Sequence, residues 1–321
     1  NEVTRYLSRF FRSILWILVA YALGYLGLSL IKEGSFLTID WTVFAWLFVS
    51  VVLTLLAYPL IPLLERLFGF TSNITLSELA DLDRPLLREL GVKAAGTMQH
   101  SLQVGNLSEA AVDAIGGNTL LVKVAALYHD IGKMKNPAFF IENQVDSNPH
   151  DAMPEVESAG IIIDHVTEGE KMARKHNLPN DIIRFITTHH GTTRVEYFYR
   201  KHLEKFPNGE PSEPLFRYRG PKPSTREETV LMLADSIEAA CKSLKEPSEQ
   251  KISEMVDSII TKKVSQDQLI GSGLTFEELE KVRTSFKSVL KSIYHIRIEY
   301  PAEPINELAS ESKDKLAQDR S

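Results

Sequence analysis

Hydrophobic and polar positions are distributed very unevenly along this chain. Residues 13–31 and 41–64 form two runs, of 19 and 24 residues, that contain no charged side chain. A helix needs about 20 apolar residues to cross the hydrocarbon core of a bilayer, so either run is long enough to span it. We therefore predict two transmembrane helices within residues 1–70, at about 13–31 and 41–64.

The first run is open to two other interpretations. Three arginines precede it, as they would in a signal peptide, but the run is longer than a usual signal core and a second run follows within ten residues. A buried helical hairpin in a soluble protein is the other alternative. Three basic residues precede the first run, Arg5, Arg9 and Arg12, whereas residues 32–40 between the two runs carry a net charge of −1. Under the positive-inside rule this difference places the N-terminus and the C-terminal body in the cytoplasm. We thus expect a multi-pass protein of the cell membrane.

The body, residues 71–300, has its apolar positions at helical spacing, with few of the alternations that predict strands. Helices are predicted at residues 86–90, 97–115, 119–129, 155–176, 180–190, 225–244, 250–262 and 275–298. Five prolines in residues 191–223 predict an ordered insertion or a lid. Residues 301–321 are rich in Glu, Ser, Lys and Asp, which predicts a flexible tail. The fold class is therefore all-α, with two membrane helices before a helical body.

Charge separates the two parts further. The 321 residues carry a net charge of −6, but residues 1–70 contribute +1, so the body carries −7. This division excludes a simple cytosolic enzyme and a protein confined to the membrane. An acidic body without an extended basic track also argues against a long nucleic acid as partner. The single cysteine, Cys241, excludes an intrachain disulfide and a multi-cysteine zinc site. Since the chain begins with Asn, we expect it to be part of a longer protein.

Histidine is the residue type that predicts chemistry. Eight of the nine histidines lie between residues 100 and 202. For any one of them, a satisfied core or surface histidine is the simpler interpretation. However, five predicted helices each carry a metal-capable side chain beside an apolar run: His100, His129 with Asp130, His165, His189 with His190, and Asp235. Nitrogen and oxygen ligands without a thiolate suit Mn, Fe or Zn, so the combination predicts a metal centre.

The segment from Tyr128 to Lys133 is the most informative of these. Burying His129 and Asp130 side by side is costly without a partner, and an aspartate can bridge two metal ions. Gly132 is expected to end the helix, and Lys133 offers a mobile ammonium group suited to a phosphate oxygen.

These residues resemble a known family. His100, His129-Asp130 and Asp235 are similar to the H…HD…D pattern of the HD-domain metal-dependent phosphohydrolases, which are all-helical. The added histidines resemble the two-metal branch that cleaves cyclic dinucleotides. Five segments together resemble seven-transmembrane receptors with an intracellular HD domain, whose members degrade cyclic di-AMP: residues 82–90, 96–101, 129–133, 140–144 and 220–223. The sequence Gly191-Thr192-Thr193 after His190 departs from the glutamate-and-GYP pattern of enzymes that act on cyclic di-GMP.

The resemblance implies a membrane-anchored phosphodiesterase that hydrolyses cyclic di-AMP to pApA with two divalent ions, Mn or Fe. It assigns one ion to His100, His129, Asp130 and Asp235, and the other to Asp130, His165, His189 and His190. Whether both His189 and His190 bind metal is open, as is a homodimer. Asp130 and Lys133 are the implied catalytic residues. Asp164 and Glu142 are candidate acceptors for the ligating histidines.

Substrate binding is predicted in the proline-rich insertion. Residues 194–226 hold eight basic and four acidic side chains, interleaved with six aromatic ones. This surface is suited to stacking adenines and binding phosphates, and with Lys133 we assign Tyr218, Arg219 and Lys222 to substrate. The alternative is a loop whose aromatic side chains form a small core of their own.

Two other functions fit the pattern less fully. One is an HD hydrolase of another nucleotide, cyclic di-GMP or ppGpp. The other is a signalling receptor that binds nucleotide without turnover, and such a receptor would be expected to have lost a metal ligand. The predicted partners are the cyclic dinucleotide and the lipid bilayer.

Overall fold

The structure is a computed structural model that describes residues 2–34, 39–145, 147–206 and 213–295. The chain divides into two compact units, Asn1–Ser72 and Asn73–Ser321. The predicted tail at residues 301–321 and the end of the last predicted helix lie outside the described residues.

The first unit is a pair of helices, α1 (Glu2–Glu33) and α2 (Trp41–Phe68). Asp40 begins α2 by accepting a hydrogen bond from the Thr42 amide at 2.9 Å, and its own amide donates to the Tyr25 hydroxyl at 3.1 Å. One stretch, Arg12–Lys32, is long and apolar enough to cross a membrane. Among the described residues the apolar part of α2, Trp41–Leu56, is shorter, so the second span remains a prediction.

The second unit is all-α, which confirms the predicted class of the body. Its helices are α3 (Asn73–Leu79), α4 (Pro85–Lys93), α5 (Ala95–Ala114), α6 (Thr119–Tyr128), α7 (Glu155–Lys175), α8 (Asn180–Thr188), α9 (Glu196–Lys205), α10 (Arg226–Lys242), α11 (Glu249–Ser265) and α12 (Phe276–His295). Short 3₁₀ turns connect α6 to α7. Within the described ranges the only β pairing is an isolated bridge between Arg194 and Arg217.

The core surrounds helices α6 and α10 and thereby fixes the residues at their ends. Asn118 begins α6 by accepting from the Leu121 amide at 3.0 Å, and Tyr128 at its last turn donates its hydroxyl to the Leu79 carbonyl at 2.9 Å. In α10, residues 230–234 are all fully buried, so this part of the helix is enclosed on every side. Polar side chains next to these runs are therefore held in the interior.

The insertion predicted at residues 191–223 contains helix α9, which the sequence pattern did not predict. Phe198, Tyr199 and Phe216 pack with Ala159 of α7 in a separate buried cluster. For these three aromatic residues the small-core interpretation is correct and adenine stacking is wrong, because their rings are already covered by protein.

Candidate metal centre

Seven side chains from five parts of the body converge on one buried region. The structure brings together two overlapping groups: His100, His129, Asp130 and Asp235, and Asp130, His165, His189 and His190. Within each group, the potential ligand atoms all lie within 4.8 Å of one another. Asp130 belongs to both groups, so its carboxylate lies where the two groups meet. All seven predicted metal ligands are therefore in one cluster.

Backbone carbonyls orient three of the imidazoles. In each case Nδ1 lies within hydrogen-bonding distance of the carbonyl three residues earlier: His129 on Ala126 at 2.8 Å, His165 on Ile162 at 2.5 Å and His189 on Ile186 at 2.8 Å. A carbonyl can only accept, so Nδ1 carries a proton, and in the neutral form of the ring the lone pair is therefore on Nε2. That lone pair is the metal-binding site of a neutral histidine, and in all three it faces the cluster.

His100 is oriented by a carboxylate that the sequence interpretation missed. Its Nδ1 lies 2.5 Å from Glu238 Oε2, while its Nε2 lies 3.0 Å from Asp235 Oδ1. Glu238 follows Asp235 by three residues on α10, and this spacing is the signal that could have identified it. The acceptors suggested by the sequence lie elsewhere, since Asp164 is exposed and Glu142 pairs with Lys133.

The donor atoms fit divalent metal ions. His129 Nε2 is buried and makes no hydrogen bond of good geometry within the part of the chain described, although it lies 3.2 Å from Asp130 Oδ2. A buried polar atom without a hydrogen-bond partner lowers the stability of the fold by about 1–3 kcal/mol, and coordination to a cation would remove this cost. Burial acts to lower the pKa of His129, but Asp130 and Asp235 outweigh it and raise that pKa to about 10. The carboxylates thus favour positive charge, and the nitrogen and oxygen donors suit Mn, Fe or Zn.

Lys133 is held in place rather than mobile as the sequence suggested. Its Nζ lies 2.7 Å from Asp130 Oδ2 and 2.8 Å from Glu142 Oε1, and Thr97 donates its hydroxyl to the same Glu142 oxygen at 3.0 Å. Burial acts to lower the pKa of Lys133, but the two carboxylates outweigh it and raise that pKa. The result is a fixed, charged ammonium group at the edge of the cluster.

Gly132 does not end a helix as expected. Helix α6 ends at Tyr128, and a 3₁₀ turn follows over Ile131–Lys135. A Cβ atom on Gly132 would lie 1.8 Å from the carbonyl oxygen of His165. The glycine is therefore needed for the close approach of α7, which brings His165 Nε2 to 3.2 Å from Asp130 Oδ1.

The cluster forms one wall of a cavity of about 480 Å³, whose lining includes His100, Lys133, Phe140, His165 and Asp235. This volume is within the range of roughly 300–1,000 Å³ that is typical of small-molecule sites.

The predicted substrate-binding residues lie at different places. The Tyr218 ring stacks on His190, with centroids 4.1 Å apart. Arg219 is exposed, and its guanidinium lies 3.9 Å from Asp164 Oδ1. Lys222 Nζ donates to the Asp267 carbonyl at 2.9 Å and is not part of the lining of this cavity, so its role in binding substrate remains a prediction.

Comparison with known proteins identifies the domain. The HD domain family matches residues 97–240, which include all seven clustered residues. The crystal structure of the Listeria monocytogenes PgpH HD domain in complex with cyclic-di-AMP superposes with a TM-score of 0.64 at 41% identity, covering 68% of this chain and 100% of that chain. This chain belongs to the HD-domain family. The family resemblance predicted from the HD motif is therefore confirmed.

Two curated HD-domain relatives carry a functional name. The cyclic-di-AMP phosphodiesterase PgpH of Bacillus subtilis is 42% identical over 249 residues, which are 77% of this chain and 35% of the relative. The Listeria monocytogenes protein of the same name is 41% identical over 248 residues, 77% of this chain and 34% of its own length. The chain thus spans about a third of the length of these relatives.

Proposed function

We propose that this chain is a membrane-anchored, metal-dependent phosphodiesterase that hydrolyses cyclic di-AMP to the linear dinucleotide pApA. The observation that carries the proposal is the pair of four-residue ligand groups that share Asp130. A second support is the 41% identity to an HD domain whose crystal structure contains cyclic-di-AMP. The two groups are assigned to two divalent transition-metal ions, Mn or Fe.

When bound, such ions lower the pKa of water and polarise phosphoryl oxygens, which is the chemistry that phosphodiester hydrolysis needs. His100, His129, Asp130 and Asp235 would hold one ion, and Asp130, His165, His189 and His190 the other. Asp130, as the residue common to both groups, would be a ligand of both ions.

Lys133 is the second catalytic residue in the proposal. Its ammonium group is fixed by Asp130 and Glu142, so it needs no reorganisation to stabilise negative charge that develops on a phosphoryl oxygen. Tyr218, Arg219 and Lys222 would contact the rest of the substrate. The six proposed ligands other than His190 are all buried, which limits the access of bulk water to the site.

The membrane part of the proposal is supported by the first unit. Helix α1 contains the apolar stretch Arg12–Lys32, and α2 continues for 28 residues from Trp41 to Phe68. With the body in the cytoplasm, both helices would cross the cell membrane. The chain would then be the C-terminal portion of a seven-transmembrane receptor with an intracellular HD domain, and the bilayer would be its second partner.

The proposal is tested by substrate comparison. The full chain, purified in detergent and loaded with Mn²⁺, is incubated separately with cyclic di-AMP, cyclic di-GMP and ppGpp, and products are identified by chromatography and mass. We expect cyclic di-AMP to be converted to pApA faster than either alternative is cleaved. Asp130→Ala should abolish the reaction, while Asp113→Ala, an exposed aspartate on α5, serves as the matched control. If no nucleotide is cleaved, or Asp130→Ala is fully active, the proposal is wrong.

A further inference from the structure

His190 is oriented differently from the other two histidines of its ligand group. His165 and His189 each place Nδ1 on the carbonyl three residues earlier. Among the described residues no hydrogen bond orients the His190 ring, whose Nδ1 lies 3.6 Å from Asp235 Oδ2. The ring stacks on Tyr218, with centroids 4.1 Å apart. The direction of the His190 ring therefore depends on that stacking and on the backbone that carries it.

A side chain from beyond the matched HD domain holds this backbone. Gln268 is buried in the turn after α11 and follows the matched residues 97–240. Its Oε1 accepts a hydrogen bond from the Thr192 amide at 2.9 Å, and its Nε2 donates to the Thr192 hydroxyl at 3.1 Å. Nε2 also donates to the Gln266 carbonyl at 2.8 Å. Because both polar atoms of its amide group are bonded, the Gln268 side chain is fixed.

Gln268 also packs directly on Gly191, the residue that follows His190. Helix α8 ends at Thr188, and the chain then turns with a φ of 54° at Gly191. A glycine adopts this left-handed conformation without strain. A Cβ atom on Gly191 would overlap Gln268 Oε1. The amide group of Gln268 therefore contacts the backbone immediately after the two adjacent histidines.

The same turn determines where Tyr218 lies. The Thr193 hydroxyl donates to the His190 carbonyl at 2.7 Å, and the Thr193 carbonyl accepts from the Tyr218 amide at 2.9 Å. Thr193 thus joins the backbones that carry the two stacked rings. A shift of the turn would move both rings relative to the metal ligands.

We propose that Gln268 is a positioning residue for the metal centre: it fixes the turn at residues 191–193 so that the His190 ring faces the second ligand group. The inference rests on the proposed function, which assigns His190 to a metal ion. Gln268 acts through the turn and is not itself a ligand. Substituting a residue that orients a metal ligand typically lowers metal affinity by about 10-fold to 100-fold.

The test removes the hydrogen bonds of Gln268 without removing its bulk. Gln268→Met keeps a side chain of similar volume but can neither accept from the Thr192 amide nor donate to the Thr192 hydroxyl. Thr192→Val weakens the same contact from the other side, since it loses the hydroxyl and keeps the amide. His190→Ala removes the ligand itself, and a double variant combines it with Gln268→Met.

Two matched controls lie on α11. Gln250 is exposed and donates to Glu254 at 2.8 Å, so Gln250→Met makes the same substitution away from the turn. Val256 is fully buried, so Val256→Ala lowers stability by leaving a cavity and removes no hydrogen bond. Each full-length variant is purified in detergent, and its melting temperature is recorded without metal. Competition with a metal-binding dye then measures the affinity for each bound Mn²⁺.

We expect Gln268→Met to weaken, by about tenfold or more, the binding of the same Mn²⁺ ion that His190→Ala weakens. Thr192→Val should weaken it less. In the His190→Ala background, Gln268→Met should cause no further loss, because the ligand that it positions is absent. A purely structural role would instead make Gln268→Met resemble Val256→Ala, with a lower melting temperature and the same affinities as the original chain.

Three results would overturn the inference. They are an unchanged Mn²⁺ affinity in Gln268→Met, an equal further loss in the double variant, and a His190→Ala chain that binds Mn²⁺ as tightly as the original. All three are measured on bound metal and not on turnover. The proposed function fails separately, if the original chain binds two ions and leaves cyclic di-AMP intact.

Discussion

At the scale of single residues, the orientation of the imidazoles is set before any metal binds. His129, His165 and His189 each use Nδ1 on a carbonyl one helical turn back. The helix that carries the ligand therefore also fixes its tautomer, and no additional side chain is required. His100 is the exception, because it depends on the carboxylate of Glu238.

This difference predicts the effect of Glu238→Gln. The amide oxygen can still accept from His100 Nδ1, but the negative charge that increases the basicity of the imidazole is lost. We expect the affinity for Mn²⁺ to fall by about tenfold or more, as for other carboxylate partners of metal-binding histidines. Competition with a metal-binding dye measures the affinity for Mn²⁺. Glu109→Gln, at a half-buried ion pair with Lys123, is the control. Equal affinities in both variants would contradict this role.

The same imidazoles predict how pH acts on metal binding. In the metal-free protein burial acts to lower the pKa of His100, but the hydrogen bonds that its ring donates to Asp235 and Glu238 outweigh burial and raise that pKa to about 9. His129 has a pKa of about 10 for a similar reason. Both rings are therefore protonated near neutral pH, and metal must displace these protons.

Protons and Mn²⁺ compete for the imidazole nitrogens of His100 and His129. Low pH favours the protonated rings and opposes metal, so the apparent affinity for Mn²⁺ should rise between about pH 6 and about pH 9. Isothermal titration in buffers of different ionisation enthalpy measures both the affinity and the protons released. An affinity that does not change over this interval, with no proton release, would show that these two rings are not ligands.

At the scale of elements, the site depends on the close contact between α7 and the turn that follows α6. No side chain fits at Gly132, because the His165 carbonyl occupies the position of a Cβ. The contact places His165 against Asp130 and so joins the two ligand groups. A second such contact holds Gly96 of α5 against the Glu142 backbone, the segment that fixes Lys133.

We therefore predict that Gly132→Ala destabilises the fold and separates His165 from Asp130. Overpacking of this kind costs about 1–3 kcal/mol, and Mn²⁺ binding should weaken with it. Gly160→Ala on α7 is the control, since a Cβ there meets no atom within 4 Å and should be neutral or stabilise by up to about 1 kcal/mol. Thermal unfolding measures the change in stability of both variants. Equal melting temperatures would contradict the assigned role of Gly132.

Elements also show how much the sequence could predict. Long helices with a periodic apolar pattern, such as α5, α7 and α10, lie where the sequence predicted them to within about three residues. Helix α9 was missed because Phe198 and Tyr199 are buried by packing with α7 and Phe216, and most of the other positions of the helix are charged or polar. Such a packing partner is distant in sequence, so no local pattern identifies it.

The residues of the metal centre divide in the same way, into those that a local motif identifies and those that only tertiary contacts define. The seven clustered residues were identifiable from their motifs, because each stands beside a helical apolar run. Glu238 belonged to no motif used in the prediction. The partner of Lys222, the Asp267 carbonyl, lies 45 residues away at the end of α11 and is defined only by tertiary structure.

At the scale of the whole molecule, the two units differ in charge as well as in surface. An acidic body of −7 would repel the anionic dinucleotide of the proposed function, so attraction would have to come from cations held at the site. The first unit exposes large apolar side chains, among them Trp16, Ile31 and Trp46, as expected of lipid-facing helices.

Topology is predicted to place residue 32 outside the cell and residue 83 inside. The natural cysteine, Cys241, is fully buried, which provides an unreactive background for labelling. In intact cells we expect a membrane-impermeant maleimide to label Lys32→Cys but not Asp83→Cys, and to label both after permeabilisation. Labelling of Asp83→Cys in intact cells would contradict two spans with a cytoplasmic body.

The central claim is that one carboxylate, Asp130, unites two metal sites for the hydrolysis of cyclic di-AMP. It is tested most directly by titrating Mn²⁺ into the metal-free chain while counting bound ions and recording the initial rate of pApA formation. We predict that activity appears as the second ion per chain binds, and that Asp130→Ala neither holds two ions nor turns over. Turnover by a chain without metal, or a full rate in Asp130→Ala, would contradict the account.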